Sequence, residues 1–196
     1  MDWAAIVLSA QLALATLLVL LPLAIGVARW LAVTTLRGKA WIEGLLALPL
    51  VLPPTVLGYY MLVAMGGQST LGRWFESLAG QTLAFSFTGL IVASVIFNIP
   101  FAVLPIQRAF EGIAPDVREA AQCCGLRFWQ AFWKVELPLA WPGVLSAAVM
   151  TFAHTLGEFG VVLMVGGNIP GETTTVAIAI YDRTQAFDHA AAGAMS

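Results

Sequence analysis

Charge is what this sequence has least of. Asp, Glu, Lys and Arg make up 10% of its 196 residues, against roughly 25% in a soluble domain. With 60% apolar residues and a mean hydropathy of +0.87, the chain cannot cover a globule with polar surface, and a soluble fold is excluded. Cysteine is equally scarce. Cys123 and Cys124 are neighbours, which cannot bridge without straining the turn between them, so there is no disulfide framework. They read as small apolar residues on a helix, with no chemistry. There are only two histidines, and no Cys or second His lies near His154, so no structural zinc set is expected. No basic block accompanies the net charge of −2, which argues against a nucleic-acid partner. A Gly-rich phosphate loop ending in Lys-Ser/Thr is also missing. The chain is therefore expected to hold no cofactor and no metal, and to be no enzyme by itself.

Long charge-free runs are present instead, and about 20 apolar residues cross a bilayer as a helix. They predict an all-α polytopic bundle, a single transmembrane domain over 1–196, with spans at about 3–33, 42–66, 84–110 and 138–166. The first run lacks the basic flank of a signal peptide and is too long for one, so it reads as a retained helix. Pro22, Pro49, Pro53, Pro54, Pro100 and Pro105 lie inside apolar sequence. Neighbouring helices can re-satisfy the backbone groups that proline frees, and broken helices suit a transporter better than an anchor.

The basic residues set the orientation. Arg29, Arg37 and Lys39 follow the first span, and Arg108, Arg118, Arg127 and Lys134 lie between the third and fourth. Alternate crossing puts these on the cytoplasmic side, with the N-terminus, the loop 66–81 and the segment after Gly166 outside. In that outer loop Leu71, Trp74, Phe75 and Leu78 recur at helical spacing around Arg73 and Glu76, which predicts an interfacial amphipathic turn. The segment 168–181 reads as a loop or re-entrant piece. The apolar tail 191–196 is expected to open a further helix that this sequence lacks.

The cytoplasmic segment 111–137 carries the most specific pattern. Asp116 and Glu119 have capping-box spacing, and Gly125 supplies a left-handed stop. A second short helix is expected from about Phe128 to Glu136, closed by Leu137 and Pro138. Glu119, Ala120, Ala121, Gly125, Val135, Leu137 and Pro138 together resemble the EAA loop of ABC importer permeases: Glu-Ala-Ala, three residues, Gly, nine residues, an aliphatic residue, any residue, Leu-Pro. A chance match at the six most specific positions has a probability on the order of 10⁻⁴ from average residue usage. The resemblance implies a type I importer permease whose Asp116, Glu119, Ala120, Ala121, Gly125, Leu137 and Pro138 couple it to a cytoplasmic ATP-binding subunit. ATP and Mg would bind that partner.

Residues 47–55 with Gly58, the box Gly157, Glu158, Phe159, Gly160, and the turn Asn168 to Gly171 followed by Thr173 and Thr175 resemble the molybdate branch of these binding-protein-dependent inner-membrane components. Sulfate and thiosulfate permeases share the general plan, and tungstate is not distinguished from molybdate. The resemblance implies a homodimer in the bacterial inner membrane, surrounded by lipid and served by an extracytoplasmic oxyanion-binding protein. Candidates for the path or gate are Asn98, Gly157, Glu158, Gly160, Asn168 and Thr173.

An intramembrane carboxylate is a functional candidate by default. Glu158 follows His154 by four residues and is expected on the same helix face. A metal or proton relay there would suit an ion-coupled carrier or an intramembrane enzyme, a rival reading alongside a purely structural scaffold. A carboxylate facing a dianion would repel it, so Glu158 is expected to pair with a helix N-terminus, Asn98 or His154, or to be protonated. Asn98 is expected to make an interhelical hydrogen bond.

Overall fold

In lipid every backbone polar group must be satisfied within the chain, and helices do this segment by segment. A computed structural model describes residues 2–193 and 195 and contains no strand among them. Helix α1 (Trp3–Val33) starts at Asp2, whose side chain accepts from the Ala5 N–H, and runs 31 residues through Pro22. Helix α5 (Phe87–Glu111) starts at Ser86, which accepts from the Gly89 N–H, and contains Pro100 and Pro105. Helix α8 (Leu137–Gly157) is the third long element.

The second apolar run is two helices. Helix α2 (Lys39–Val51) and helix α3 (Pro54–Met65) meet at 106°, so they form at most one broken span. Pro53 and Pro54 explain the break. Leu52, before Pro53, is extended at φ −74°, ψ 136°, because the proline ring disfavours helical backbone in the residue it follows. Among the described residues, three helical segments are long and apolar enough to cross a membrane, and the bent pair would make a fourth.

Residues 138–166 do not form one helix either. Helix α8 ends at Gly157, Glu158 is extended at ψ 124°, and a short helix α9 (Gly160–Gly166) follows. His154 and Glu158 therefore do not share a helix face as expected. His154 closes the last turn of α8, and Glu158 stands just beyond it.

Across residues 111–137, helix α6 (Pro115–Cys123) is followed by a turn and helix α7 (Phe128–Ala131). A π-helical turn, Phe132–Glu136, then leads into α8. The aromatic helix is thus continuous with the fourth span, and Leu137 and Pro138 do not close it. Pro138 would ordinarily clash with the carbonyl four residues back. In the π turn the Leu137 N–H bonds instead to Phe132 O, five residues back, widening the backbone just before the proline.

Helices α1, α5 and α8 pack around a core of Leu20, Ala24, Ala28 and Leu31, Ala102, Val103, Ile106 and Phe110, and Ala140, Val144 and Ala147. Five of these eleven are alanine, spread over all three helices, and they allow the close packing that must hold helices together where lipid supplies no hydrophobic drive between them. At Gly143 an added Cβ would overlap Ala109 Cβ and come within 2.9 Å of Pro105 O, so only glycine allows this α5–α8 approach. Helix α4 (Thr70–Ala79) is the amphipathic element of the loop 66–81, with Ser69 at its start and a left-handed Gly80 at its end. Helices α10 (Val176–Gln185) and α11 (His189–Gly193) follow α9.

Candidate coupling hairpin and translocation cleft

The hairpin begins with Pro115 in the first turn of α6, a position where a missing N–H costs nothing. Its cap residue is Ala114, and no side chain caps the helix, so Asp116 and Glu119 do not form the expected box. Both are exposed, as are Ala120 and Gly125, while Ala121 is buried beneath them. Gly125 has φ +74°, and its N–H bonds to Gln122 O at 2.8 Å, ending the helix in the left-handed geometry expected of it. Cys123 and Cys124 are exposed too, rather than packed. One face of α6 and its terminal turn is therefore free to meet another protein. Leu137 and Pro138 stand apart from it, in the first turn of α8.

Behind that face the hairpin is anchored by charge. Glu136, 3% exposed, accepts from Arg29 Nε and Arg29 Nη2, both at 2.8 Å. The Arg29 guanidinium also lies 4.2 Å from the centre of the Phe128 ring. Arg118 of α6 donates to Phe110 O at 2.6 Å.

The deep polar residues gather elsewhere, around a cleft of about 590 Å³ lined by Pro54, Thr55, Phe97, His154, Gly157, Glu158 and Gly160, among others. Glu158 is 5% exposed, and its Oε1 accepts from the Val161 N–H at 3.0 Å, capping α9. The negative carboxylate is thereby placed at the positive end of a helix. Gly160 keeps the cleft narrow: an added Cβ would sit 2.8 Å from Pro54 Cβ. Opposite, α3 opens toward the cleft with Pro54 and Thr55, and the Thr55 N–H belongs to a first turn that has no intrahelical acceptors. Asn98 is fully buried, donates to Ser94 O at 2.8 Å and meets His154 across the α5–α8 interface.

Asn168 and Thr173 are not part of this cleft. Thr173 is fully buried; its hydroxyl donates to Gly166 O and accepts from the Ile169 N–H, both at 2.8 Å, clasping the loop after α9. Asn168 donates to Asp182 and accepts from Thr174, beside a separate cavity with Asp2 and Gly171. The described residues hold no group of three or more His, Cys, Asp or Glu able to bind a metal.

The family model described as "Binding-protein-dependent transport system inner membrane component" matches residues 20–196. The chain belongs to that family. This permease is 49% identical to the molybdenum transport system permease protein ModB of Azotobacter vinelandii over 97% of its own length and 84% of the relative's. It is 39% identical to the ModB of Escherichia coli K12, over 94% and 80% of the two chains. The sulfate transport system permease protein CysT of Escherichia coli K12 is 32% identical over 81% and 57%. A crystal structure of a bacterial ABC transporter involved in alginate import contains a chain of the same fold, with a TM-score of 0.79 at 19% identity, covering 98% of the permease and 71% of that chain. The permease is thus an all-α, multi-pass inner-membrane protein of the type I importer fold.

Sequence reasoning missed several residues of the permease that the fold brings into these places. Thr55 and Phe97 line the cleft, and Arg29 with Glu136 anchors the hairpin. The run Pro53-Pro54 was a signal for a helix start, but nothing in the sequence indicated what it faces. Arg29 was legible only as a topology marker.

Proposed function

We propose that this permease is the transmembrane subunit of an ATP-driven importer that carries molybdate, or a closely similar tetrahedral oxyanion, across the inner membrane. The observation that carries the reading is its 49% identity to a molybdenum transport permease across nearly the whole chain, against 32% over a shorter stretch of a sulfate permease. Two copies enclose the path and receive the anion from an extracytoplasmic binding protein. They alternate between outward-open and inward-open forms as two cytoplasmic subunits bind ATP with Mg and close. The exposed α6 face, with Asp116, Glu119, Ala120 and Gly125, is the surface those subunits engage, and Leu137 and Pro138 fix where the hairpin rejoins the membrane.

The cleft chemistry is compatible with a weakly held dianion. Among the described residues no Lys or Arg lines it, so the anion meets helix N–H groups and hydroxyls, as at the start of α3. Glu158 is committed to α9, which limits its repulsion of the passing charge.

Uptake of labelled molybdate, tungstate and sulfate into proteoliposomes, with and without the partner ATPase, tests the reading. ATP-dependent molybdate uptake that sulfate competes with poorly is expected. Uptake driven by an ion gradient without ATP, or a preference for sulfate, would overturn it.

A further inference from the structure

The EAA-like pattern leaves the residue between its aliphatic position and Leu-Pro unspecified, and here that residue is Glu136. The structure gives it more to do than the pattern requires. It ends the π turn with a buried carboxylate that takes two hydrogen bonds from Arg29 of α1, 107 positions away in sequence. A second guanidinium faces the same oxygen: Arg118 Nε of α6 lies 3.8 Å from Glu136 Oε2. That distance is too long for a hydrogen bond. Arg118 Nε is buried and has no hydrogen-bond partner in this state. A buried unpaired donor calls for an explanation, and a donor that finds its partner in another conformation is one.

We infer that Glu136 is the positioning residue that passes movement of the coupling hairpin to the membrane helices, its Oε2 shifting from Arg29 toward Arg118 as α6 is pushed by the ATPase. The inference rests on the proposed importer function. Its geometry has three parts. Arg118 is tied to the end of α5 through Phe110 O, Arg29 belongs to α1, and Glu136 leads directly into α8. One carboxylate thus sits where the three core helices meet the hairpin. An approach of about 0.9 Å by Arg118 would bring it to ordinary charge-assisted distance. π turns interrupt regular helices at functional places, and this one sets the rotation that turns Glu136 inward.

A staple would serve equally well without charge, because a buried ion pair replaced by packed apolar residues of similar size often costs no stability. That separates the two roles. The double variant Arg29→Met with Glu136→Leu should assemble with the ATPase yet lose transmission, whereas a staple would transmit as before. Arg118→Gln, which leaves the Arg29 pair in place, should lose it too.

The readout is a spin label at Val33, exposed at the cytoplasmic end of α1, measured between the two copies in the full permease–ATPase complex with and without ATP and Mg. In the otherwise unaltered protein ATP should shift that distance distribution. In Arg29→Met/Glu136→Leu and in Arg118→Gln the shift should disappear, with anion uptake per ATP hydrolysed falling about tenfold. A full shift in either variant, or no shift without them, would overturn the inference. An intact, Glu136-dependent shift with no molybdate uptake would instead overturn the substrate reading alone.

Discussion

Asn98 Oδ1 lies 3.0 Å from Nδ1 of His154, joining the middle of α5 to the last turn of α8 at the back of the cleft. Because Asn98 Nδ2 donates to Ser94 O, its oxygen must be the acceptor, and His154 therefore carries its proton on Nδ1. The His154 ring stacks on Phe101 with centroids 4.0 Å apart, which fixes it further. Glu158 Oε2 is 4.0 Å from the same nitrogen, too far to compete. The three polar side chains divide into an interhelical bond and a contact with the first turn of α9.

Asn98→Ala removes the acceptor and leaves the His154 donor unpaired. A loss of about 0.6 kcal/mol is expected, the average for hydrogen bonds in membrane bundles, because His154 is partly exposed to the cleft. Thermal unfolding in detergent should show a lower midpoint for Asn98→Ala, with Asn98→Asp, which keeps an acceptor, closer to the parent. Equal midpoints for Asn98→Ala and the parent would argue against the bond.

Glu158→Gln keeps an oxygen for the Val161 N–H and removes the charge. It should assemble and transport appreciably. Glu158→Ala removes the α9 cap and should cost about 1 kcal/mol. Uptake and unfolding measured on both variants check the order; abolished uptake in well-assembled Glu158→Gln would restore the proton-relay reading.

Gly143→Val should prevent α5 and α8 from meeting at Ala109 and Pro105. The expected result is loss of the folded peak in size-exclusion chromatography. Substitution at Gly26, where an added Cβ meets nothing within 4 Å, should be tolerated.

The long helices and the left-handed stop at Gly125 were legible because hydropathy and glycine chemistry are local. The bend between α2 and α3 was half legible: Pro53 and Pro54 announced a break, but its angle depends on what α3 packs against. Glu158 looked like a helix residue because the apolar run continues through it, whereas its fit under α9 depends on tertiary contacts. Asp116 and Glu119 had the right spacing for a box, yet Pro115 occupies the first helical turn and moves the cap back to Ala114. Arg29 and Glu136 could not be paired from sequence, since charge alone does not select one partner among many.

Orientation can be read by thiol labelling. Cysteines at Gly67 and Asn168 should react with an impermeant reagent in intact cells, and the exposed Cys123 should react only after the membrane is opened. Labelling of Cys123 from outside would reverse the topology.

The most direct test is of the hairpin as the element that couples this permease to an ATPase. Gly125→Val forces a β-branched residue into the left-handed region, at a cost of about 1–2 kcal/mol, and Glu119→Lys reverses charge on the exposed face near the α6 start. ATP-driven molybdate uptake and ATPase capture should be measured together on both variants after membrane insertion is verified. Coupling through the hairpin predicts normal insertion with weak capture or lost uptake in each; parental uptake with parental capture in both would contradict it.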